Sequence, residues 1–193
     1  TKQHLFQNEP DTYAVVDTQF AKEDWLAGQP IAEAIRDQLA PFNHVVIGSG
    51  YPDLVGVTPL STDLIAVDRL GDEAPLIAIE AKGHTESQFV DTETGIVQAY
   101  DRLNEANVAY LAAPRCAISQ TDRTLARELN VGVLGVDTTG SVEALERPRV
   151  VGNRTTDEAR AIRFQASAQG VADKSFGLNH PKNYVAYPLA LYA

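Results

Sequence analysis

The chain contains one cysteine, one tryptophan and no methionine, and its only lysines are Lys2, Lys22, Lys82, Lys174 and Lys182. A single thiol cannot close an internal disulfide, which excludes a small scaffold stapled by cystine bridges. No run of about 18 apolar residues occurs, and no basic-then-apolar leader opens the sequence, so neither a membrane span nor a secretory signal is expected and the predicted location is the cytoplasm. A sequence that lacks Met and opens at Thr1 is expected to be a processed chain or a piece of a longer one. Gly48-Ser49-Gly50 is not followed by a helix opening on further glycines, so it makes neither a dinucleotide fingerprint nor a phosphate loop. The same triplet lacks the spacing of a serine nucleophile elbow. His4, His44 and His180 are too dispersed for a zinc site, and Cys116 has no second Cys or His at ligand spacing and reads as a core thiol. His84, two residues after Lys82, reads as an accessory or solvent-facing side chain beside a turn at Gly83.

What is present suits a folded protein. The 193 residues are 44% hydrophobic and 22% charged, enough for one domain with a substantial core. The net charge is −10, and among the bases arginine dominates lysine. That balance resembles proteins of salt-loving microbes, where salt screens the self-repulsion of an acidic surface. The charge divides unevenly: residues 1–148 hold 10 bases and 23 acids, net −13, and residues 149–193 hold 6 bases and 3 acids, net +3. The reading is therefore an acidic body over 1–148 with a basic extension over 149–193. Arg147, Arg149, Arg154, Arg160 and Arg163 are candidates to meet the phosphates of DNA, or else form a solvated face with local ion pairs. Tyr184, Tyr187 and Tyr192 either stack on bases or pack the end of the chain against the core.

Periodicity and punctuation give the elements. An alternating stretch runs around Tyr13, Val15 and Val16; residues 24–39 carry apolar side chains near helical spacing. Strands are read at 43–48, 53–57, 63–70 and 76–81, each bounded by Gly, Pro or Ser. Helix is then expected over 94–106, strand over 108–113, helix over 119–129 and strand over 131–136. A short strand at 141–145 and a helix at 155–169 complete the pattern. Helix, several strands, helix, strand, helix, strand predicts an α/β fold with a mixed central sheet flanked by helices.

The chemistry gathers at Tyr51-Pro52-Asp53-Leu54-Val55-Gly56-Val57 and at the apolar strand ending Ile79-Glu80-Ala81-Lys82. Side chains alternate along a strand, so Glu80 and Lys82 project from the same side. A carboxylate and an ammonium in so apolar a context are costly unless paired or used, and Asp53 on a preceding strand would supply a second carboxylate. The alternatives are a turn residue after Pro52 and a strand-end ion pair. Two hard oxygen donors suit Mg²⁺, with Mn²⁺ as a substitute, and a metal beside a lysine suits phosphodiester hydrolysis.

Pro52-Asp53 followed by Glu80-Ala81-Lys82 resembles the PD-(D/E)xK nucleases of the restriction-endonuclease-like superfamily. The resemblance covers residues 24–113 and implies an α-β-β-β-α-β core with the Asp entering the second strand, the Glu-x-Lys on the third and a helix directly after. It further implies Asp53, Glu80 and Glu33, on the first core helix, as metal ligands, Lys82 as the catalytic lysine, and Gln98 orienting a water or phosphate. Many exonuclease-like members carry a Tyr four residues after that Gln; here the position is Arg102, and Tyr100 stands at two. The implied activity is Mg²⁺-dependent cleavage of DNA, and pairing of two copies to cut two strands makes a homodimer an expectation. The competing expectation is a catalytically inactive module of the same fold that binds nucleic acid or a protein.

Overall fold

Apolar runs of five to seven residues cannot hide their backbone polar groups unless they pair, and in the computed structural model they do so in one six-stranded mixed sheet. The structure describes residues 14–17, 32–39, 47, 49–57, 76–83 and 89–151. In chain order the elements are β1 (Ala14–Asp17), α1 (Glu33–Leu39), β2 (Leu54–Val57), β3 (Ile77–Ala81), α2 (Thr92–Arg102), β4 (Val108–Pro114), a 3-10 turn (Arg115–Ala117), α3 (Gln120–Glu128), β5 (Gly132–Val136) and β6 (Val142–Glu146). The strands lie side by side in sequence order. β1, β2 and β3 are successively antiparallel, β3, β4 and β5 are parallel, and β6 returns antiparallel to β5. Each parallel step needs a crossover, and α2 and α3 supply them.

Caps fix where these helices begin. The Asp91 carboxylate accepts the Thr94 backbone N–H at 3.0 Å, so α2 starts at Thr92, two residues before the expected boundary. It ends at Arg102, not at Ala106, because the N–H groups of Leu103, Asn104 and Glu105 turn back to carbonyls three residues earlier. α3 opens on a reciprocal capping box between Ser119 and Asp122.

Alternation along the strands sorts two apolar layers. Leu111 and Ala113 of β4 and Val133 of β5 pack under α2 and α3 with Ile96, Ala99 and Ala126. Leu54, Ile79 and Ala112 lie on the opposite face, with Tyr110 and Leu134 against them. Among the described residues no helix is long and apolar enough to cross a membrane.

The strand beside β2 comes from residues 14–17, ahead of α1. From the expected strand at 43–48 the described Ile47 forms only an isolated bridge to Gly50. Strand partnership is a long-range choice that local alternation cannot specify, so the pairing of β1 with β2 is a finding of the structure. The expected strand at 63–70, the helix at 155–169 and the start of the helix at 24–39 lie outside the described residues.

Buried Asn107 ties the sheet's lower edge. Its Oδ1 accepts the Leu76 N–H at 2.9 Å, its Nδ2 donates to the Val151 carbonyl at 3.1 Å, and the Val151 N–H donates to the Asn107 carbonyl at 2.8 Å. Asn107→Ala strands a buried N–H and is expected to destabilise the protein by about 1–3 kcal/mol, read as a lower urea midpoint with an unchanged slope.

Candidate functional site

Register brings the three sequence-predicted residues together. Leu54 pairs with Ile79 and Val55 with Ala78, so one step further along this antiparallel pair Asp53 faces Glu80. The Asp53 Oδ2 accepts the Ala81 N–H at 2.6 Å, fastening its carboxylate to the end of β3. Glu80 stands opposite Leu111 of β4, hence on the face covered by α2. Lys82 continues the ladder through its N–H to the Ala112 carbonyl at 2.8 Å, and its stem crosses α2 at Gly95. Asp53, Glu80 and Lys82 therefore share one face, as the alternation predicts.

Glu80 is 3% exposed and is met by an equally buried Arg102, whose Nε donates to Oε1 at 2.7 Å. Burial pushes the Glu80 carboxyl above its ordinary range; the Arg102 hydrogen bond and charge pull it back, the Asp53 carboxylate raises it, and Lys82 lowers it. The same guanidinium donates to the Ile47 carbonyl at 2.7 Å and to the Asp101 carboxylate at 3.2 Å. Asp101 in turn accepts the Ser49 N–H at 2.8 Å and the Ser49 hydroxyl at 2.7 Å, which hold its carboxyl below the usual range. One network thus joins β3, α2 and the turn that leads to Asp53.

Asp91, Gly95, Gln98 and Arg102 recur at intervals of four, three and four, so they form one stripe of α2. Asp91 lies near enough to Lys82 for that charge to help lower its carboxyl, after the Thr94 hydrogen bonds. A Cβ at Gly95 would fall 2.9 Å from Lys82 Cγ and 2.7 Å from Leu111 Cδ1. The glycine clears the path of the lysine. Gln98 lines a cleft of about 480 Å³ with Tyr51 and Arg102, and its Oε1 is buried without a hydrogen-bond partner among the described residues.

Arg102 and Gly95 were missed as site residues by sequence reasoning. Arg102 registers there only as a departure from an expected Tyr, although a basic residue in line with Gln98 was a usable signal. A glycine inside a helix was the signal for Gly95, since it costs about 1 kcal/mol relative to Ala unless a neighbour needs the space.

Other expected residues are not brought in. Glu33 is exposed in the first turn of α1, and among the described residues no three His, Cys, Asp or Glu side chains gather to hold a metal, so it does not join Asp53 and Glu80. Arg147 and Arg149 are exposed, and Arg149 hydrogen-bonds with Asn130 ahead of β5, at the end of the sheet away from Lys82. Arg154, Arg160 and Arg163, the tail tyrosines and His84 lie outside the described residues. Cys116 is exposed, not a core thiol, because it falls on the 3-10 turn where β4 has already left the sheet.

Arg102→Met leaves Glu80 buried without its cation and is expected to destabilise the fold by about 3–5 kcal/mol at neutral pH. A carboxyl raised in the folded state binds its proton there more tightly than in the unfolded chain, so its contribution to stability falls as pH rises above its ordinary value of 4.5. Without Arg102 that fall steepens; the variant's deficit by urea unfolding is expected to shrink towards pH 4.5. Gly95→Ala, which in an unobstructed helix gains stability, is expected to lose about 1–3 kcal/mol through overpacking against Leu111 and Lys82, measured by thermal unfolding.

No family model matches this sequence, and no curated protein or solved structure is significantly similar to it.

Proposed function

We propose that this protein is a metal-dependent phosphodiester hydrolase acting on DNA, similar to the PD-(D/E)xK nucleases. The observation that supports the reading best is the shared face of Asp53, Glu80 and Lys82, with Asp53 bonded to the Ala81 N–H between the other two. Among the described residues the chain runs α1, β2, β3, α2, β4 from α1 onward, one strand short of the α-β-β-β-α-β order that the resemblance implies, and the strand paired with β2 on its other side, β1, comes from ahead of α1.

The donor set fits a hard divalent ion. Mg²⁺ keeps several waters and is held by one or two carboxylates plus substrate phosphate oxygens, so Asp53 and the remaining oxygen of Glu80 suffice without a third acid. When bound, Mg²⁺ or Mn²⁺ supplies Lewis-acid polarisation of the phosphodiester and of the attacking water. Arg102 holds Glu80 in one orientation through Oε1. Lys82, its stem laid over Gly95, carries a positive charge to the same face, where it steadies the charge that develops on phosphate. Gln98, one turn along the stripe, offers an amide to orient the water.

One observation favours a second reading. The Glu80–Arg102 pair already neutralises the buried carboxylate, as a retired site retained for structure would, leaving a nuclease-fold module that binds nucleic acid or a protein partner. The acidic body sets the assay conditions, because salt screens its repulsion from DNA. Labelled single- and double-stranded DNA, incubated with Mg²⁺ or Mn²⁺ at moderate and molar salt, is expected to be cleaved. Lys82→Ala and Asp53→Ala are each expected to lower the rate by about 10²–10³-fold. Intact DNA at every condition, with wild type and variants binding it equally, gives the second reading the field. Light scattering on the same samples tests the proposed homodimer; a monomer at micromolar concentration in both salts rejects it.

A further inference from the structure

The parallel strands β3, β4 and β5 all deliver their C-terminal ends to one edge of the sheet, and there a cleft of about 820 Å³ opens. Lys82 and Gly83 line it from β3, Pro114 and Cys116 from the end of β4, and Val136 and Thr138 from β5. Ligands of open α/β sheets are commonly bound outside the carboxyl ends of the strands, which is where this cleft lies. Small side chains keep this one wide: Ala81, Ala112 and Ala113 also line it.

We propose that this cleft is a nucleotide-binding site, receiving a nucleobase against its apolar wall while Lys82 contacts the attached phosphate. The assignment of the phosphate to Lys82 rests on the nuclease reading; the base site rests on the cleft. Three observations select the occupant. The lining is mainly apolar and suits a flat ring with one charged end. The acid of the lining, Asp137, is occupied by its own turn: Oδ1 accepts from the Thr139 N–H at 2.8 Å, the Thr139 hydroxyl at 2.7 Å and the Ser141 N–H at 2.9 Å. Of the two cations among the described lining residues, Arg115 is paired with Glu143, so Lys82 sets the charge complementarity at the end nearest Asp53 and Glu80. A base seated here would be the neighbour of the phosphate at the candidate site, which makes the cleft a place where one nucleotide of the strand is gripped.

The chain carries its own reporter. Cys116 is the only thiol and is exposed on the cleft wall. The full chain is titrated with thymidine 5′-monophosphate without added metal, and the rate at which Cys116 reacts with 5,5′-dithiobis(2-nitrobenzoate) is followed. Saturable protection is expected, reaching about tenfold slowing at ten times the dissociation constant. Inorganic phosphate is expected to give none, and thymidine weaker protection than its monophosphate. Thr138→Trp, at an exposed turn position, fills the cleft and is expected to abolish the titration without altering the circular dichroism. Lys82→Ala is expected to reduce the monophosphate to the strength of the nucleoside. No protection, or equal protection by phosphate alone, overturns the base site. DNA cleavage with an unprotected Cys116 sinks this proposal and leaves the nuclease reading standing; protection in a protein that never cleaves does the reverse.

Discussion

A carboxylate and a guanidinium, both removed from water between β3 and α2, set the terms for everything around them. Taking either charge into that layer alone costs several kcal/mol, and only close geometry with further hydrogen bonds offsets it. Arg102 meets that demand by dividing its fork among Glu80, the Ile47 carbonyl and Asp101. Each of those bonds reaches a different element. The ion pair therefore fixes the distance between strand and helix, and through Asp101 and Ser49 it fixes the turn from which Asp53 enters β2. Asp53 closes the circuit by binding the Ala81 N–H. The two carboxylates cannot drift apart without breaking charge-assisted bonds, which are roughly twice as strong as neutral ones.

Gly95 belongs to the same constraint. With α2 held against β3 by Arg102 at one end and capped by Asp91 at the other, Lys82 must leave the strand beneath the helix. A side chain at residue 95 would meet both the lysine stem and Leu111. The helix gives up about 1 kcal/mol of propensity at this position. In return the lysine runs along a fixed track in line with Asp91, Gln98 and Arg102.

Most of the described strands were legible in the sequence because an apolar run bounded by Gly, Pro or Ser has few other folded solutions. The common face of Glu80 and Lys82 was legible too, since a period of two needs no tertiary information. Arg102 was not. Its alignment with Gln98 was a local hint, but its role exists only once a helix position is set against a strand position 22 residues away, where Arg102 meets Glu80. The pairing of β1 with β2 was hidden for the same reason. Local alternation marks only a stretch around Tyr13, Val15 and Val16, and the partner of a strand is chosen by the whole sheet. Cys116 was misread because its composition-based prior is burial, whereas its position is decided by where β4 stops.

The placement of positive charge follows from topology more than from composition. Parallel strands send their C-terminal ends one way, so Lys82 and Arg115 reach the same edge although 33 residues separate them in sequence. The return of the chain through β6 sends Arg147 and Arg149 towards the other edge, where Asn130 and Asn107 anchor the segment that carries them. In a chain of net charge −10 the distinction matters. Beyond a screening length of about 8–10 Å a cation is felt only as part of the overall negative field, so a basic residue on the far edge cannot steady a phosphate at the near one. What an anion meets at the site is the local set: Lys82, held under α2, beside two carboxylates whose mutual repulsion is relieved on one side by Arg102. A divalent ion would relieve it on the other, and that asymmetry is what supports the proposal of a metal beside Asp53 and Glu80.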